Sequence, residues 1–231
     1  MFKYLLPILL FSIIFFSCNQ KKTRKNIVEQ DTSQQTEFIL RNTITELLNK
    51  ALNSDTTEFF DCIDNDDFKC FCVKSGKIIS QTEKNAVVVI YSDNQTYMLK
   101  LYSIHNDKWQ LTDSINDLED VIIANLHIIF DDYNFDGQTD IFLQASASNG
   151  YSISMGHLII INKNTQKFEL HKEAREFGNM MLDQKTKTIK SEELHYDEKD
   201  NRYLIISTHK WQNGMLKTIS KTKKYINYYN Q

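Results

Sequence analysis

The chain has 231 residues, with 27 basic and 30 acidic side chains and a formal net charge of −3. This near balance gives no general attraction to the phosphates of nucleic acid, so we expect no nucleic-acid partner. A single proline and six glycines exclude collagen-like and proline-rich chains. The 41% of apolar residues is typical of a globular protein.

An apolar run occupies residues 4–17 and follows the basic residue Lys3. The run is shorter than the ~20 residues that a membrane-spanning helix needs, and it fits the hydrophobic region of a secretory signal. It ends in Ser17-Cys18, which resembles the lipobox of bacterial lipoproteins. The resemblance implies cleavage before Cys18 and lipidation of its thiol. We therefore predict a signal peptide over 1–17 and a membrane anchor at Cys18; an ordinary signal peptide or a short membrane anchor is the alternative.

The residues after Cys18 bear on location and flexibility. Asn19 follows the cysteine. By resemblance to known sorting rules, a residue other than aspartate here implies an outer-membrane lipoprotein facing the periplasm, with the cell surface as the alternative. Residues 18–36 are otherwise polar, with four basic side chains. This composition predicts a flexible tether behind the lipidated cysteine.

Residues 37–231 contain no proline- or glycine-rich break, which predicts a single β-rich domain. Apolar side chains recur at helical spacing in 37–52, which predicts one N-terminal helix. Asp55 and Glu58 form a capping-box pattern that predicts the start of a second short helix. Segments rich in β-branched and aromatic residues then predict strands at 68–73, 85–92, 96–104, 108–115, 125–130, 140–146, 157–162, 179–183, 187–194, 202–211 and 215–225. The predicted fold is mostly β, an antiparallel β sandwich or barrel-like meander with one N-terminal helix.

One motif carries recognisable chemistry. Residues 132–140 read D-x-N-x-D-G-x-x-D, with oxygen-bearing side chains at alternate positions and a glycine where the loop must turn sharply. Calcium prefers six to eight oxygen ligands. The pattern predicts a Ca²⁺ site formed by Asp132, Asn134, Asp136, Asp140 and the backbone carbonyl of Gln138. A metal-free turn rich in Asp and Asn is the alternative.

The flanks of this loop separate it from an EF-hand. An EF-hand needs a glutamate at the twelfth position, where this chain has Leu143. The flanking segments are predicted strands. The motif distantly resembles the calcium loops of FG-GAP-type β proteins. It more closely resembles the DYNFDG-x-x-D loop of bacterial periplasmic lipoproteins that act as immunity proteins against secreted lysozyme-like effectors.

This resemblance covers about residues 120–225 and implies a β-rich fold that is stabilised by bound calcium. It also implies a protein without enzymatic activity that inhibits a peptidoglycan-degrading enzyme, so a cell-wall hydrolase is the expected protein partner. Some periplasmic lysozyme inhibitors insert a Ser-Gly-x-x-Tyr loop into their target. The same residue types occur here at a different spacing, and they predict a partner-binding loop at Ser148, Asn149, Gly150 and Tyr151.

A second function fits the same features: a calcium-stabilised envelope module that recognises glycan or another envelope protein. Exposed aromatic rings would serve such a module, and core packing is the alternative role for them. The candidates are Trp109, Trp211, Tyr225, Tyr228 and Tyr229.

Three cysteines remain after Cys18. Cys70 and Cys72 are two residues apart on a predicted strand and cannot bond each other without distortion. Cys62 could pair with either of them in the oxidising periplasm. Buried free thiols are the alternative.

Overall fold

The computed structural model describes residues 19–54, 58–65, 69–79, 82–91, 96–119, 128–147 and 153–226. Within these ranges the protein is mostly β, with three antiparallel sheets and one α-helix, which confirms the predicted fold class. The chain divides into two units between Glu46 and Leu47, and all three sheets belong to the second unit.

Each sheet is a meander in which neighbouring strands are consecutive in the chain. The first sheet contains β1 (Glu58–Asn65), β2 (Lys69–Gly76), β3 (Asn85–Tyr91), β4 (Thr96–His105) and β5 (Lys108–Glu119). The second contains β6 (Ile128–Asp131), β7 (Asp140–Ala147), β8 (Ser154–Asn162) and β9 (Lys167–His171). The third contains β10 (Met181–Asp183), β11 (Thr188–Tyr196), β12 (Arg202–Gln212) and β13 (Met215–Tyr225). A 3₁₀ helix at Lys172–Glu176 joins the last two sheets.

The helix, α1, spans Asn19–Asn53 and is longer than the predicted 37–52. Residues 19–36, predicted as a flexible tether, therefore have a helical backbone. No proline or glycine interrupts this stretch. The last two turns are fixed to the sheet region, because the Trp109 indole donates a 2.6 Å hydrogen bond to the Leu48 carbonyl. Among the described residues, no helix is long and apolar enough to cross a membrane.

The predicted second helix is wrong, because Glu58–Asn65 forms strand β1. Residues 55–57, which include the start of the capping-box pattern, lie outside the described residues. Pairing of β1 with β2 overrides the local preference, and a disulfide joins the two strands at Cys62 and Cys72. Cys70 is not part of this disulfide.

The second sheet lies between two hydrophobic cores, which explains why β8 is apolar on both faces. Ile159 and Ile161 contribute to a core shared with Val87, Leu99 and other residues of the first sheet. Leu158 and Ile160 contribute to a core shared with residues of the third sheet, including Ile189 and Leu216. Alternate side chains of a strand point to opposite faces, so a continuous apolar run serves both cores.

Candidate metal centre

The loop at 132–139 connects β6 to β7. The two residues that flank it, Asp131 and Asp140, are paired in the strand register. Its backbone turns sharply through two residues with positive φ, Phe135 (62°) and Gly137 (83°). A Cβ at Gly137 would meet no atom within 4 Å, so the glycine is favoured here by backbone conformation and not by space.

Two long-range hydrogen bonds anchor the loop to the sheets on either side. Thr139 N–H donates to the Ile78 carbonyl at 3.2 Å, next to the first sheet. The Trp211 indole, on β12 of the third sheet, donates to the Tyr133 carbonyl at 2.8 Å. The loop therefore lies where all three sheets meet.

The side-chain oxygens at the rim of the loop collect backbone N–H groups of the same turn. The N–H of Asp136 donates to both Asp132 Oδ1 (3.0 Å) and Asn134 Oδ1 (2.9 Å). Gly137 N–H donates to Asp132 Oδ2 at 2.9 Å. Gln138 N–H donates to Asp136 Oδ1 at 2.8 Å. The rim is thus preorganised, with oxygens of three consecutive ligand positions held by three backbone N–H groups.

Gln138 contributes an observation that the motif does not predict. Its side-chain oxygen Oε1 is buried and has no hydrogen-bond partner among the described residues. Buried acceptors are nearly always satisfied in native proteins. The lone pairs of this oxygen are therefore available to a ligand. The prediction for this residue named its backbone carbonyl.

Asp140 lies at the base of the loop and is fully buried. Its Oδ2 accepts hydrogen bonds from the N–H groups of Tyr133 (3.0 Å) and Asn134 (3.1 Å), and its Oδ1 accepts one from Ile161 at 3.2 Å. Burial raises the pKa of Asp140 to about 7, although the backbone donors oppose the shift, and the charges of Asp136 and Asp132 raise it further. Asp140 therefore ties the loop to the neighbouring strand β8.

The structure brings Asp132, Asn134 and Asp136 together at the rim and places Asp140 beneath them. Among the described residues, it does not gather three or more His, Cys, Asp or Glu side chains into one metal-holding group. The calcium ligand set therefore stays a prediction. Two other predicted sites, Cys18 and the partner loop at 148–151, lie outside the described residues.

The aromatic candidates have separate roles. Trp109 and Trp211 use their indole N–H groups in the internal hydrogen bonds described above. Tyr225 is 50% exposed at the end of β13. Tyr228 and Tyr229 lie outside the described residues.

A serine–histidine pair occurs in the third sheet but is closed to substrates. Ser191 Oγ lies 2.7 Å from His209 Nε2, and Thr218 Oγ1 lies 3.0 Å from His209 Nδ1. Ser191 and His209 are both fully buried. The imidazole of His209 thus contacts a hydroxyl on each side, the buried Ser191 and the exposed Thr218, which fits a structural role.

Sequence reasoning missed the anchor between Trp211 and Tyr133, because the two residues are 78 positions apart. No local pattern reports such a contact. A weak signal existed in the motif itself: Tyr133 and Phe135 are aromatic residues in an otherwise polar loop, which suggests packing against a neighbour. Tyr133 is in fact 2% exposed and packs near Phe142.

Comparisons with known proteins add little to this geometry. No protein-family model matches the sequence, and no curated protein matches it. Among solved structures the chain is similar to one titled "Structure of a Xanthomonas Type IV Secretion System related protein". The identity is 12%, the match covers 70% of this chain and 93% of that chain, and the TM-score is 0.28. A similarity this weak carries no argument about function.

Proposed function

We propose that this chain is a calcium-binding envelope lipoprotein that binds and inhibits a peptidoglycan-degrading enzyme, as an immunity protein does. Cys18 would carry the lipid anchor, in the outer membrane and facing the periplasm. The observation that carries the proposal is the shared hydrogen bond at the loop rim, where Asp132 and Asn134 both direct an oxygen at the N–H of Asp136.

These oxygens fit a hard cation. An oxygen that accepts one N–H keeps a second lone pair, so the same atom can also bind a metal ion. Asp132 Oδ1 and Asn134 Oδ1 are held close together because both lie within 3.0 Å of one nitrogen. The unsatisfied Oε1 of Gln138 offers a further neutral oxygen. Asp132, Asn134, Asp136 and Gln138 would therefore hold the ion, with Asp140 beneath them as the fifth proposed ligand.

The charges favour the same interpretation. The charges of Asp132 and Asp136 raise the pKa of the buried Asp140 carboxyl, which shows that the three carboxylates repel one another. A bound dication would offset this repulsion and favour the ionised form of Asp140. Calcium would supply positive charge and additional bonds to the loop, and the chain would supply the arrangement of its oxygens.

The strand β7 connects the proposed calcium loop to the proposed partner loop. β7 begins at Asp140 and pairs with β8 as far as Ala147 and Ser154. Residues 148–153 therefore connect the far ends of these two strands. A strand of eight residues spans about 25 Å. We infer that calcium acts on partner binding by fixing β7, and not by touching the partner.

The test is capture of a partner from envelope extract by residues 19–231, in millimolar calcium and again in a chelator. We expect a peptidoglycan hydrolase in the calcium sample, and we expect the purified chain to slow lysis of peptidoglycan by that enzyme. Asn149→Ala should weaken capture. Asn164→Ala, an exposed asparagine in the turn between β8 and β9, is the matched control and should leave capture unchanged.

Two outcomes would contradict the inhibitor function. One is a captured hydrolase that lyses peptidoglycan at the same rate with and without the chain. The other is capture of glycan or of an outer-membrane complex with no hydrolase in either condition. The second result would favour the calcium-stabilised binding module in its place.

A further inference from the structure

The tip of the third sheet contains a cavity of about 600 Å³ that the calcium loop does not use. The turn between β11 and β12, residues 197–201, forms one side of it. Tyr196, Tyr203 and Tyr225 also line it. Small-molecule sites in proteins have volumes of about 300–1,000 Å³ and combine aromatic walls with a few fixed polar groups.

The aromatic rings form a row across three strands. Tyr203 lies directly between His195 on β11 and Tyr225 on β13 in the strand register. The ring centres are 5.5 Å apart for His195 and Tyr203, and 5.6 Å apart for Tyr203 and Tyr225. Tyr225 is 50% exposed and Tyr196 is 53% exposed. Tyr225 therefore provides the open aromatic surface of this row. Tyr196 pairs with Arg202 in the strand register, so its ring lies toward the other face of the sheet, 5.6 Å from the Arg202 guanidinium.

The turn that faces these rings is rigid and polar. Asp197 Oδ1 accepts hydrogen bonds from the backbone N–H groups of Lys199 and Asn201, both at 2.9 Å. The Asn201 side-chain amide donates to both Asp197 oxygens, at 3.2 and 3.0 Å. The bond from the Asn201 side chain is the main cause that holds the pKa of Asp197 below its usual value. The carboxylate is thus ionised at neutral pH and has lone pairs left to accept hydroxyl groups.

The chain's own lysine occupies the position that a cationic ligand would take. The Lys223 ammonium lies 3.7 Å from the centre of the Tyr203 ring and 4.6 Å from that of Tyr225. Asp197, Glu198 and Lys199 line the cavity, and Arg202 and Lys223 lie over its tyrosine rings. A site with an aromatic face, charges of both signs and fixed acceptors suits a neutral ligand rich in hydroxyl groups.

We propose that this cavity is a saccharide-binding site. The exposed face of Tyr225 would pack against the C–H face of a pyranose ring, because the π face of an aromatic ring is negative and these hydrogens are weakly positive. Asp197 and Asn201 would exchange hydrogen bonds with the sugar hydroxyls. The site uses only the third sheet, so it does not depend on calcium binding or on the inhibitor function.

The test is calorimetric titration of residues 19–231 with two soluble probes, chitohexaose and cellohexaose. Both are β-linked chains of pyranose rings, and only the first carries N-acetyl groups. We expect saturable binding of at least one probe. Tyr225→Ala should weaken it tenfold or more, and Asn201→Ala should also weaken it. Ile219→Ala, an exposed apolar residue elsewhere on β13, is the matched control and should leave affinity unchanged.

The two probes distinguish the source of the ligand. Binding of chitohexaose alone supports a site for N-acetylated glycan, and binding of both supports a site for β-linked glycan in general. The proposal is overturned if neither probe binds, or if Asn201→Ala and a folded Tyr225→Ala bind as the parent does. A hexalysine peptide serves as a cationic probe of the same site. The proposal is also overturned if this peptide binds the parent and the sugars do not. The same holds if Lys223→Met binds the peptide more strongly while neither sugar binds.

Discussion

Two turns of this protein have the same local chemistry and different surroundings. In the calcium loop, Asp132 accepts the N–H groups of Asp136 and Gly137. In the turn at 197–201, Asp197 accepts those of Lys199 and Asn201. Each turn also contains a residue with positive φ. Local hydrogen bonds to an aspartate are therefore common to both turns.

Burial separates the two turns. The calcium loop has a second carboxylate, Asp140, fully buried beneath it, and is anchored to both neighbouring sheets. The pKa of Asp140 is raised to about 7, mainly by burial. The pKa of Asp197 is lowered, mainly by the hydrogen bond from the Asn201 side chain. The comparison teaches that burial by tertiary contacts, and not the turn itself, decides whether the pKa of the aspartate is raised or lowered.

The largest expected effect comes from removing the buried carboxylate. Asp140→Ala leaves the N–H groups of Tyr133, Asn134 and Ile161 without their acceptor. Each buried donor without a partner costs about 1–3 kcal/mol, so we expect a loss of at least about 3 kcal/mol, in calcium or in chelator. Urea denaturation measures this loss.

The matched variant at the other turn is Asp197→Ala, which should lower the urea midpoint much less because water replaces the lost hydrogen bonds. Equal shifts of the midpoint in Asp140→Ala and Asp197→Ala would contradict the distinction between the two turns.

A smaller effect is expected from the anchor to the third sheet. Trp211→Phe keeps an aromatic ring but removes the N–H that bonds to the Tyr133 carbonyl. We expect a loss of about 1–3 kcal/mol and weaker calcium binding, because the loop is less fixed. Trp109→Phe removes a comparable bond to the Leu48 carbonyl and should destabilise the chain without changing calcium affinity. Calorimetric titration with calcium measures the affinity of both variants. Equal calcium affinities in Trp211→Phe and Trp109→Phe would contradict the role of Trp211 in fixing the loop.

The smallest effect concerns pH. Burial lowers the pKa of His209 from its ordinary 6.5, and the charge of Lys221 lowers it further while that of Glu193 opposes the shift. Below pH 6.5 this histidine binds a proton in the unfolded chain that it does not bind in the folded chain, so its contribution to stability falls as the pH falls from 6.5 toward the folded pKa. Asp140 acts in the opposite direction, because its raised pKa favours the folded chain as the pH falls from about 7. The change in urea midpoint between pH 7.5 and 5.5, compared between the parent and His209→Gln, isolates the contribution of the histidine.

His209→Gln should remove this contribution, so that its urea midpoint rises more, or falls less, than that of the parent between pH 7.5 and 5.5. His195→Gln, at the partly exposed tip of the same sheet, should keep it. A pH dependence as steep in His209→Gln as in the parent would show that other groups control stability in this range.

The parts of the fold that were predicted from sequence are those with local signals. The β8 segment was recognised as a strand by its run of apolar and β-branched residues. The packing of β8 against two cores could not be predicted, because a run that is apolar at every position has no alternation to show which side chains face which core. The oxygen pattern from Asp132 to Asp140 was also visible, since all its members lie within one short loop.

What sequence reasoning missed depends on distant partners. Asp55 and Glu58 have a helix-start pattern, but pairing with β2 places Glu58 in a strand. The choice of Cys72 as the partner of Cys62 depends on the register of the same pair. The burial of Asp140 likewise depends on β8, which supplies the Ile161 N–H.

The most direct test of the central claim is calorimetric titration of residues 19–231 with calcium. We predict one saturable site per chain, at least tenfold weaker in Asp136→Ala. Asp131→Asn, a change of the neighbouring acidic residue outside the ligand pattern, should bind much as the parent does. Absence of binding by the parent, or equal affinity in Asp136→Ala and the parent, would contradict the claim that residues 132–140 form a calcium site.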